Sequence, residues 1–197
     1  MEQSDIKQKV FYDYCKRLID IIASSISIIM FSPMFLVMMI IIKIEDGGPV
    51  FVLQTRIGKR GEAFYFIKFR TMRLVAEIVK NDSENETFDD EMFTPIGRFL
   101  RKMVLDELPC LFNVLKGDVS LVGPRPVLPY VFEKLNEWQK QRNFVRPGLT
   151  GLWQISSNKK NNLEDLINMD LEYVRRRSLL LDLSILLKTI PIVLFGK

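Results

Sequence analysis

The chain contains no histidine, and this absence narrows its chemistry more than any residue that is present. Without imidazole, Ser–His and Cys–His nucleophile pairs are excluded, as are metal sites that need a histidine ligand. An enzyme of this composition must therefore use carboxylates for acid–base and metal work. It must use arginine and lysine to bind anions.

Cysteine is nearly as scarce, since Cys15 and Cys110 are the two cysteines of the chain. They lie far apart and fit neither a disulfide framework nor a zinc motif. We expect each to be a small buried residue, which suits a reducing compartment.

An excess of charge is also lacking, because 28 Lys and Arg residues face 24 Asp and Glu residues, a formal charge of +4. This balance is a weak hint toward anionic partners such as lipid headgroups or phosphates. Residues 56–73 carry a run of basic side chains, but no nucleic-acid-binding motif accompanies it, so no nucleic-acid role is expected. The length of 197 residues suits one domain with a core of its own.

Charge is absent altogether between Ile21 and Ile42, a run of 22 residues. This run is long enough to span a bilayer, and a segment apolar on every face is hard to bury in so small a protein. The sequence therefore predicts membrane insertion, with a core helix as the alternative. A cleavable signal peptide is not expected, because the run is too long and no small-residue cleavage site follows it.

Ser32 and Pro33 lie in the middle of the apolar run, where proline removes a helical hydrogen bond. Each half then spans roughly 17 Å, against about 30 Å of hydrocarbon. Basic residues flank both ends, which is compatible with both ends in the cytoplasm. We therefore predict a re-entrant helix-break-helix, with a kinked spanning helix as the alternative. The side chains expected to bond carbonyls freed at the bend are those of Ser24, Ser25, Ser27 and Ser32.

The pattern predicts two units, residues 1–46 with the membrane hairpin and residues 47–197 with a small cytosolic domain. The fold class of the second unit is α+β, mainly α with a short β-hairpin. Its predicted strands are Val50–Leu53 and Ala63–Lys68, joined by a turn at Gly58–Gly61. Residues 77–91 are predicted to form a solvated acidic loop.

Helices are predicted in the second half of the chain from capping residues and apolar spacing. Thr94 is the expected N-cap of the first, with Pro95 at its first position. Further helices are expected directly after Asp106 to near Gly117, over 131–142 and over 163–177. A final helix over 179–195 is predicted to lie in the membrane interface, with a terminal core helix as the alternative.

Asp106 and Glu107 are adjacent carboxylates at the predicted start of a helix, where free N–H groups and the helix dipole favour ionised acids. An ionised carboxylate can attack phosphorus, and its neighbour can hold a divalent metal. The simpler reading is that Asp106 caps the helix and Glu107 adds dipole stabilisation. Phosphoryl transfer also needs cations around the phosphate, and the sequence supplies them nearby. They are Arg98, Arg101, Lys102 and Arg125, the last held between Pro124 and Pro126.

Several ordered motifs over residues 16–189 resemble the small monotopic phosphoglycosyl transferases, a bacterial sugar transferase family. The motifs are GGPVFVLQTRIGKRGEAFYFIKFRTM at 47–72, TPIGRFLRKMVLDELPCLFNVLKGDVSLVGPRP at 94–126, RPGLTGLWQ at 146–154 and MDLEYV at 169–174. The resemblance implies transfer of a sugar-1-phosphate from a UDP-sugar to undecaprenyl phosphate at the cytoplasmic face of the bacterial inner membrane. The chain looks like the minimal catalytic form of this family.

The resemblance also implies roles for individual residues. Asp106 would attack the sugar-linked phosphate and carry it as a covalent intermediate, while Glu107 would bind Mg²⁺. The residues expected to contact substrate phosphates are Arg125, Arg101, Lys68, Arg70 and Asp170. The segment after Gln154 departs from the Gly-Arg-Asn type stretch of many members, so donor contacts are expected to differ there.

Two other functions remain open at this point. One is the same transfer by a direct ternary complex, without a covalent enzyme intermediate. The other is a membrane-attached scaffold that binds anionic lipid and has no catalytic activity.

Overall fold

A computed structural model of the chain describes residues 9–73, 90–156 and 163–195. Most of the predicted acidic loop at 77–91, and the segment after Gln154 from residue 157 to 162, lie outside the described residues. The described part is mainly helical, as predicted, with two small two-stranded sheets. The hairpin sheet was expected, and the second sheet was not.

Helix α1, Val10–Asp46, dominates the N-terminal part of the molecule. At 37 residues it is long and apolar enough to cross a membrane by length and composition. The predicted break at Pro33 does not interrupt it, since Pro33 lies inside the helix. The missing proline N–H would have bonded the carbonyl of Ile29, and the hydroxyl of Ser32 donates to that oxygen instead at 2.8 Å. Ser32 therefore satisfies the freed carbonyl, as the sequence predicted.

One face of α1 lies against the rest of the protein on both sides of Pro33. Before the proline, Arg17 donates to two main-chain oxygens of residues 114 and 115, at 2.6 Å each. After it, the ring of Phe35 packs against those of Phe69 and Phe112, with centroids 5.6 and 6.0 Å apart. Both halves of the apolar helix thus contact the same folded body.

The hairpin consists of strand β1, Phe51–Ile57, and strand β2, Ala63–Phe69, paired antiparallel. Helix α2, Pro95–Lys102, follows, and its N-cap is Thr94 as predicted, because the Thr94 hydroxyl accepts from the N–H of Gly97 at 2.9 Å. Helix α3, Cys110–Lys116, ends at Gly117, whose φ of 98° places it in the left-handed region that glycine tolerates.

Strand β3, Ser120–Val122, pairs in parallel with strand β4, Gly148–Thr150. Between them the predicted helix over 131–142 is divided into α4, Pro129–Glu133, and α5, Glu137–Lys140. The division occurs because Asn136 starts α5 with a capping box, in which its side chain and that of Gln139 bond each other's backbone. A short 3₁₀ turn at Gln141–Phe144 follows α5.

Three helices complete the described chain: α6, Leu152–Ile155; α7, Leu163–Arg176; and α8, Leu179–Phe195. The last two agree with the predicted helices. The face of α7 toward the core contributes Ile167, Leu171 and Tyr173. Helix α8 buries Ile185 against Val122 and Tyr173, while many of its other apolar side chains are exposed.

Candidate active site

Side chains of α3 hold this helix on the free edge of β2. The thiol of Cys110 donates to the carbonyl of Ile67 at 3.0 Å. The amide of Asn113 accepts from the N–H of Ile67 at 3.0 Å and donates to the carbonyl of Tyr65 at 2.7 Å. These bonds pair an edge that would otherwise be open, and they bring Lys68 next to the residues that precede α3.

Asp106 and Glu107 lie in the turn between α2 and α3, not in the first turn of a helix. The helix begins three residues later than expected, at Cys110. The backbone of the turn is nevertheless held at both residues, since the N–H of Phe69 donates to the Asp106 carbonyl and that of Cys110 to the Glu107 carbonyl, each at 2.9 Å. The hairpin and α3 together fix the pair of carboxylates.

Glu107 is enclosed by two cations. Its Oε1 accepts from Lys68 Nζ at 2.7 Å and from Arg125 Nη2 at 3.0 Å. Burial acts to raise the pKa of Glu107, but the charges of Arg125 and Lys68 outweigh it and lower the pKa to about 2. Glu107 is therefore ionised at neutral pH, as the sequence predicted.

Asp106 differs from its neighbour. Burial raises the pKa of Asp106, the charge of Glu107 raises it further, and the charge of Lys68 opposes both. No helix begins at Asp106, so the helix dipole that was expected to favour its ionised form is absent, and burial sets the direction of its pKa instead. A more basic oxygen is a better nucleophile once it is ionised, so the two carboxylates are suited to different tasks.

The backbone before Asp106 is strained at Val104. This residue has a φ of 56°, in the left-handed region that β-branched side chains rarely adopt. The N–H of Leu105 then donates to the carbonyl of Leu100 at 2.8 Å, which closes the end of α2. Strain of this kind accumulates where the surrounding fold fixes a functional geometry.

Arg125 is anchored through its backbone, between Pro124 and Pro126. Arg56 donates to the carbonyl of Pro126 at 3.0 Å, and Arg142 Nη2 donates to the carbonyl of Arg125 itself. The side chain of Arg125 stays partly exposed while it reaches Glu107. Its guanidinium is therefore placed by the fold and remains accessible to an anion.

Asp170 was expected to contact substrate, and the structure corrects this expectation. Asp170 and Arg142 form an ion pair in which each side chain is only 1% exposed, so neither carboxylate oxygen can reach a substrate. Burial raises the pKa of Asp170 to about 6 against the opposing charge of Arg142. Because Arg142 Nη2 also bonds the Arg125 carbonyl, Asp170 acts on the site through Arg142.

Sequence reasoning missed Arg142. It falls at the end of a stretch predicted as one helix, where a basic side chain is ordinary, and no local pattern marks it. Asp170 could have pointed to Arg142, because a buried acid needs a basic partner. In a chain without histidine that partner must be an arginine or a lysine.

The remaining two cations predicted for phosphate are placed differently. Arg70 is buried and pairs with Asp46 at the end of α1, so it fastens this long apolar helix instead of facing substrate. Arg101 is exposed, with its guanidinium carbon 4.5 Å from the centroid of the Phe93 ring. The charge of Arg101 acts to lower the pKa of Asp106. Arg101 therefore lies within electrostatic reach of the Asp106–Glu107 pair, called the dyad below.

The described part of the chain holds no cluster of three or more acidic, cysteine or histidine side chains that could bind a metal ion alone. A divalent cation at Asp106 and Glu107 would take at most two protein carboxylates. That donor set suits Mg²⁺, which is commonly bound by one or two carboxylates together with substrate phosphates and water.

The model of the family described as "Bacterial sugar transferase" matches residues 11–196, nearly the whole chain. The chain belongs to the bacterial sugar transferase family. The match includes α1, the dyad, the Pro-Arg-Pro segment and α8, so the site described above lies within the part that this family shares. Its members are transferases, which makes the chain an enzyme of that class.

Curated relatives are about 40% identical to the chain over the residues that align. The galactosyl transferase CpsE of Streptococcus agalactiae is 40% identical over 200 residues, covering 94% of this chain and 44% of CpsE. The exopolysaccharide production protein ExoY of Rhizobium meliloti is 39% identical over 203 residues, covering 92% of this chain and 86% of ExoY.

A third relative, from Aeromonas hydrophila, is named UDP-N-acetylgalactosamine-undecaprenyl-phosphate N-acetylgalactosaminephosphotransferase. It is 38% identical over 191 residues, covering 94% of this chain and 45% of that protein. The chain thus spans less than half of CpsE and of the Aeromonas protein, and most of ExoY. The names of the relatives differ in the sugar, so the family assignment leaves the sugar open.

Proposed function

We propose that the protein transfers a sugar-1-phosphate from a UDP-sugar to undecaprenyl phosphate and releases UMP, the first membrane step of bacterial glycan synthesis. The observation that carries the proposal is the arrangement around Glu107, in which an ionised carboxylate with two cations lies beside a more basic Asp106. The name of the Aeromonas relative supports the same donor class and acceptor.

In the proposed reaction an oxygen of Asp106 attacks the β-phosphorus of the UDP-sugar. The bond from this phosphorus to the bridging oxygen breaks, and UMP leaves with that oxygen and the electron pair. The sugar-1-phosphate is then held on Asp106 through a new oxygen–phosphorus bond. An oxygen of undecaprenyl phosphate attacks the same phosphorus, the bond to Asp106 breaks, and the carboxylate is regenerated as the diphosphate product leaves.

Arg125 and Lys68 supply charge at the point where phosphate oxygens must be held. In the described structure both bond Glu107, which keeps them oriented before substrate arrives. Guanidinium and ammonium groups stabilise the negative charge that develops on a phosphoryl group during transfer. Glu107, with Asp106 next to it, is the residue that would hold Mg²⁺, and Mg²⁺ would neutralise charge on the diphosphate.

We also propose that α1 enters and leaves the membrane by the cytoplasmic face. A spanning helix would place residues before and after Pro33 on opposite sides of the bilayer. Arg17 and Phe35 instead contact one folded body, as does Asp46 through Arg70. The exposed side chains between them are apolar, among them Ile26, Ile29 and Met30.

This topology predicts the sidedness of the N-terminus. In a Cys15→Ser background, Gln3→Cys and Glu137→Cys should both react with a membrane-impermeant maleimide only after the cells are permeabilised. Glu137 serves as the reference because its side chain is 89% exposed on the catalytic domain. Labelling of Gln3→Cys in intact cells, with Glu137→Cys still protected, would show that α1 spans.

The reaction is tested by incubating the detergent-solubilised protein with a panel of UDP-sugars, Mg²⁺ and undecaprenyl phosphate, and measuring UMP. We expect release with one or a few donors, lost when Mg²⁺ is chelated. A folded protein that releases no UMP with any donor, beside a working relative as control, would favour the non-catalytic scaffold. The pair of unlike carboxylates favours the transferase, since a lipid-binding scaffold needs no such pair.

A further inference from the structure

A polar cleft opens beside the N-terminal half of α1 and shares no lining residue with the dyad or its cations. Its volume is about 40 Å³, which admits about three waters or one phosphate group and is too small for a nucleotide. Basic side chains from four segments converge on it: Lys16 of α1, Lys59 of the hairpin turn, Arg146 and Arg177.

Positive charge prevails around the cleft. The acids that line it are Asp13 and Asp20, and one of its cations, Lys16, is paired with Asp182 at 2.7 Å. Further cations lie on the rim, since Lys9 donates to the carbonyl of Arg177 and Arg17 approaches Gly117, to which Arg146 also bonds. The cleft and its rim together carry six cations, namely Lys9, Lys16, Arg17, Lys59, Arg146 and Arg177.

Lys59 is the side chain of the cleft that most needs an anion. Across the described ranges 9–73, 90–156 and 163–195 its ammonium makes no hydrogen bond or ion pair. Burial lowers the pKa of Lys59 and the charge of Arg146 lowers it further, while the charge of Asp13 opposes both and does not cancel them. A bound phosphate would relieve both effects, because it supplies a partner and an opposite charge.

An apolar groove adjoins the polar cleft, and the two share Lys16 and Asp20. The groove has a volume of about 240 Å³, more than the roughly 150 Å³ of an engineered apolar cavity that binds benzene. It runs between α1 and α8, and its rim includes Ile19, Leu180 and Leu183, which are 45, 81 and 53% exposed.

We infer that this composite site binds one anionic membrane phospholipid, with its phosphate at Lys59 and Lys16 and an acyl chain in the groove between α1 and α8. The charge excess selects an anionic head, and the groove is continuous with the exposed apolar face of α1, so its occupant comes from the bilayer. The inference rests on the membrane association proposed above.

The acceptor lipid is a poor fit to this site. Lys59 lies in the hairpin turn, and Lys68 at the dyad lies five residue-to-residue steps along β2 from Ala63, which comes just after that turn. At about 3.4 Å per residue this is roughly 17 Å, too far for a phosphate bound at Lys59 to react at Asp106. The bound phospholipid would instead fix the N-terminal half of α1 and α8 in the membrane surface.

Native mass spectrometry of the full chain in detergent tests the inference without donor or turnover. With equal amounts of dioleoyl phosphatidylglycerol and dioleoyl phosphatidylcholine, we expect one phosphatidylglycerol retained per chain, at least about fivefold over phosphatidylcholine. Lys59→Ala should lower this retention by at least about fivefold, and it removes no bond from the fold. Arg60→Asn, which removes a neighbouring cation that does not line the cleft, should leave retention within about twofold.

Three results would overturn the inference. Equal retention of the two lipids would show that the site does not select lipids by the charge of their headgroup. Equal losses in Lys59→Ala and Arg60→Asn would show diffuse surface attraction. Displacement of the retained phosphatidylglycerol by equimolar undecaprenyl phosphate would assign the groove to the acceptor. Because no turnover is measured, a failure here leaves the proposed transferase activity to its own test.

Discussion

Asp106→Asn should reduce UMP release by at least about a thousandfold while the protein remains folded. The substitution is nearly isosteric, but an amide cannot form the acyl phosphate that the proposed mechanism needs. Loss of a nucleophile typically lowers the turnover rate by several orders of magnitude. Folding should survive because the side chain of Asp106 is only half-buried and the turn is held by backbone bonds to β2 and α3. UMP release and thermal unfolding, measured on the same preparation, check both statements.

Asp165→Asn is a matched control, since Asp165 is also a half-buried aspartate but lies in the first turn of α7. It should retain turnover near the parent rate. Retained turnover in Asp106→Asn would remove Asp106 from the mechanism.

A further measurement separates the covalent route from a direct ternary complex. Donor labelled in its β-phosphate and incubated without acceptor should label the parent protein and not the Asp106→Asn variant. Absence of label under slow turnover would favour the direct route.

Most helices and the hairpin follow from local sequence. Thr94 and Pro95 mark a helix start because a hydroxyl acceptor and a fixed φ are needed there, and Gly117 marks a helix end because its φ is positive. The hairpin strands and the last two helices were predicted for the same reason, since alternation and apolar spacing are properties of neighbouring residues. The path of α1 through a membrane stays a prediction.

What the sequence did not predict depends on contacts between distant residues. Strands β3 and β4 have three residues each and pair across an intervening 25 residues, so neither is visible as a periodic pattern. The pKa of Asp106 depends on burial by the surrounding fold, and Arg70 has a partner 24 residues earlier, in Asp46. The dyad was found from residue types and resemblance. The Arg142–Asp170 pair that holds the Arg125 backbone could be found only from the folded structure.

Substitution of Arg142, which bonds the Arg125 carbonyl, is expected to have the second large effect. Arg142→Met should destabilise the protein by about 3–5 kcal/mol, because it leaves the Asp170 carboxylate buried without its counter-ion. The ion pair is not optimised for stability, since Arg142 Nε and Nη1 have no hydrogen-bond partner among the residues that the structure describes. A pair of this kind, bonded to the Arg125 carbonyl, is better explained by the position it gives Arg125 than by its contribution to folding.

A double variant separates the two roles of the pair. Arg142→Met with Asp170→Leu removes both buried charges and should recover most of the stability lost in the single variant, as replacement of buried ion pairs by apolar residues often does. Turnover should nevertheless stay about 10–100-fold below the parent enzyme, mainly through kcat, because the Arg125 backbone is no longer held. Urea unfolding and UMP kinetics on the parent and both variants give the answer. Recovery of activity together with stability would show that the pair only supports the fold, and that Pro124, Pro126 and Arg56 suffice to place Arg125.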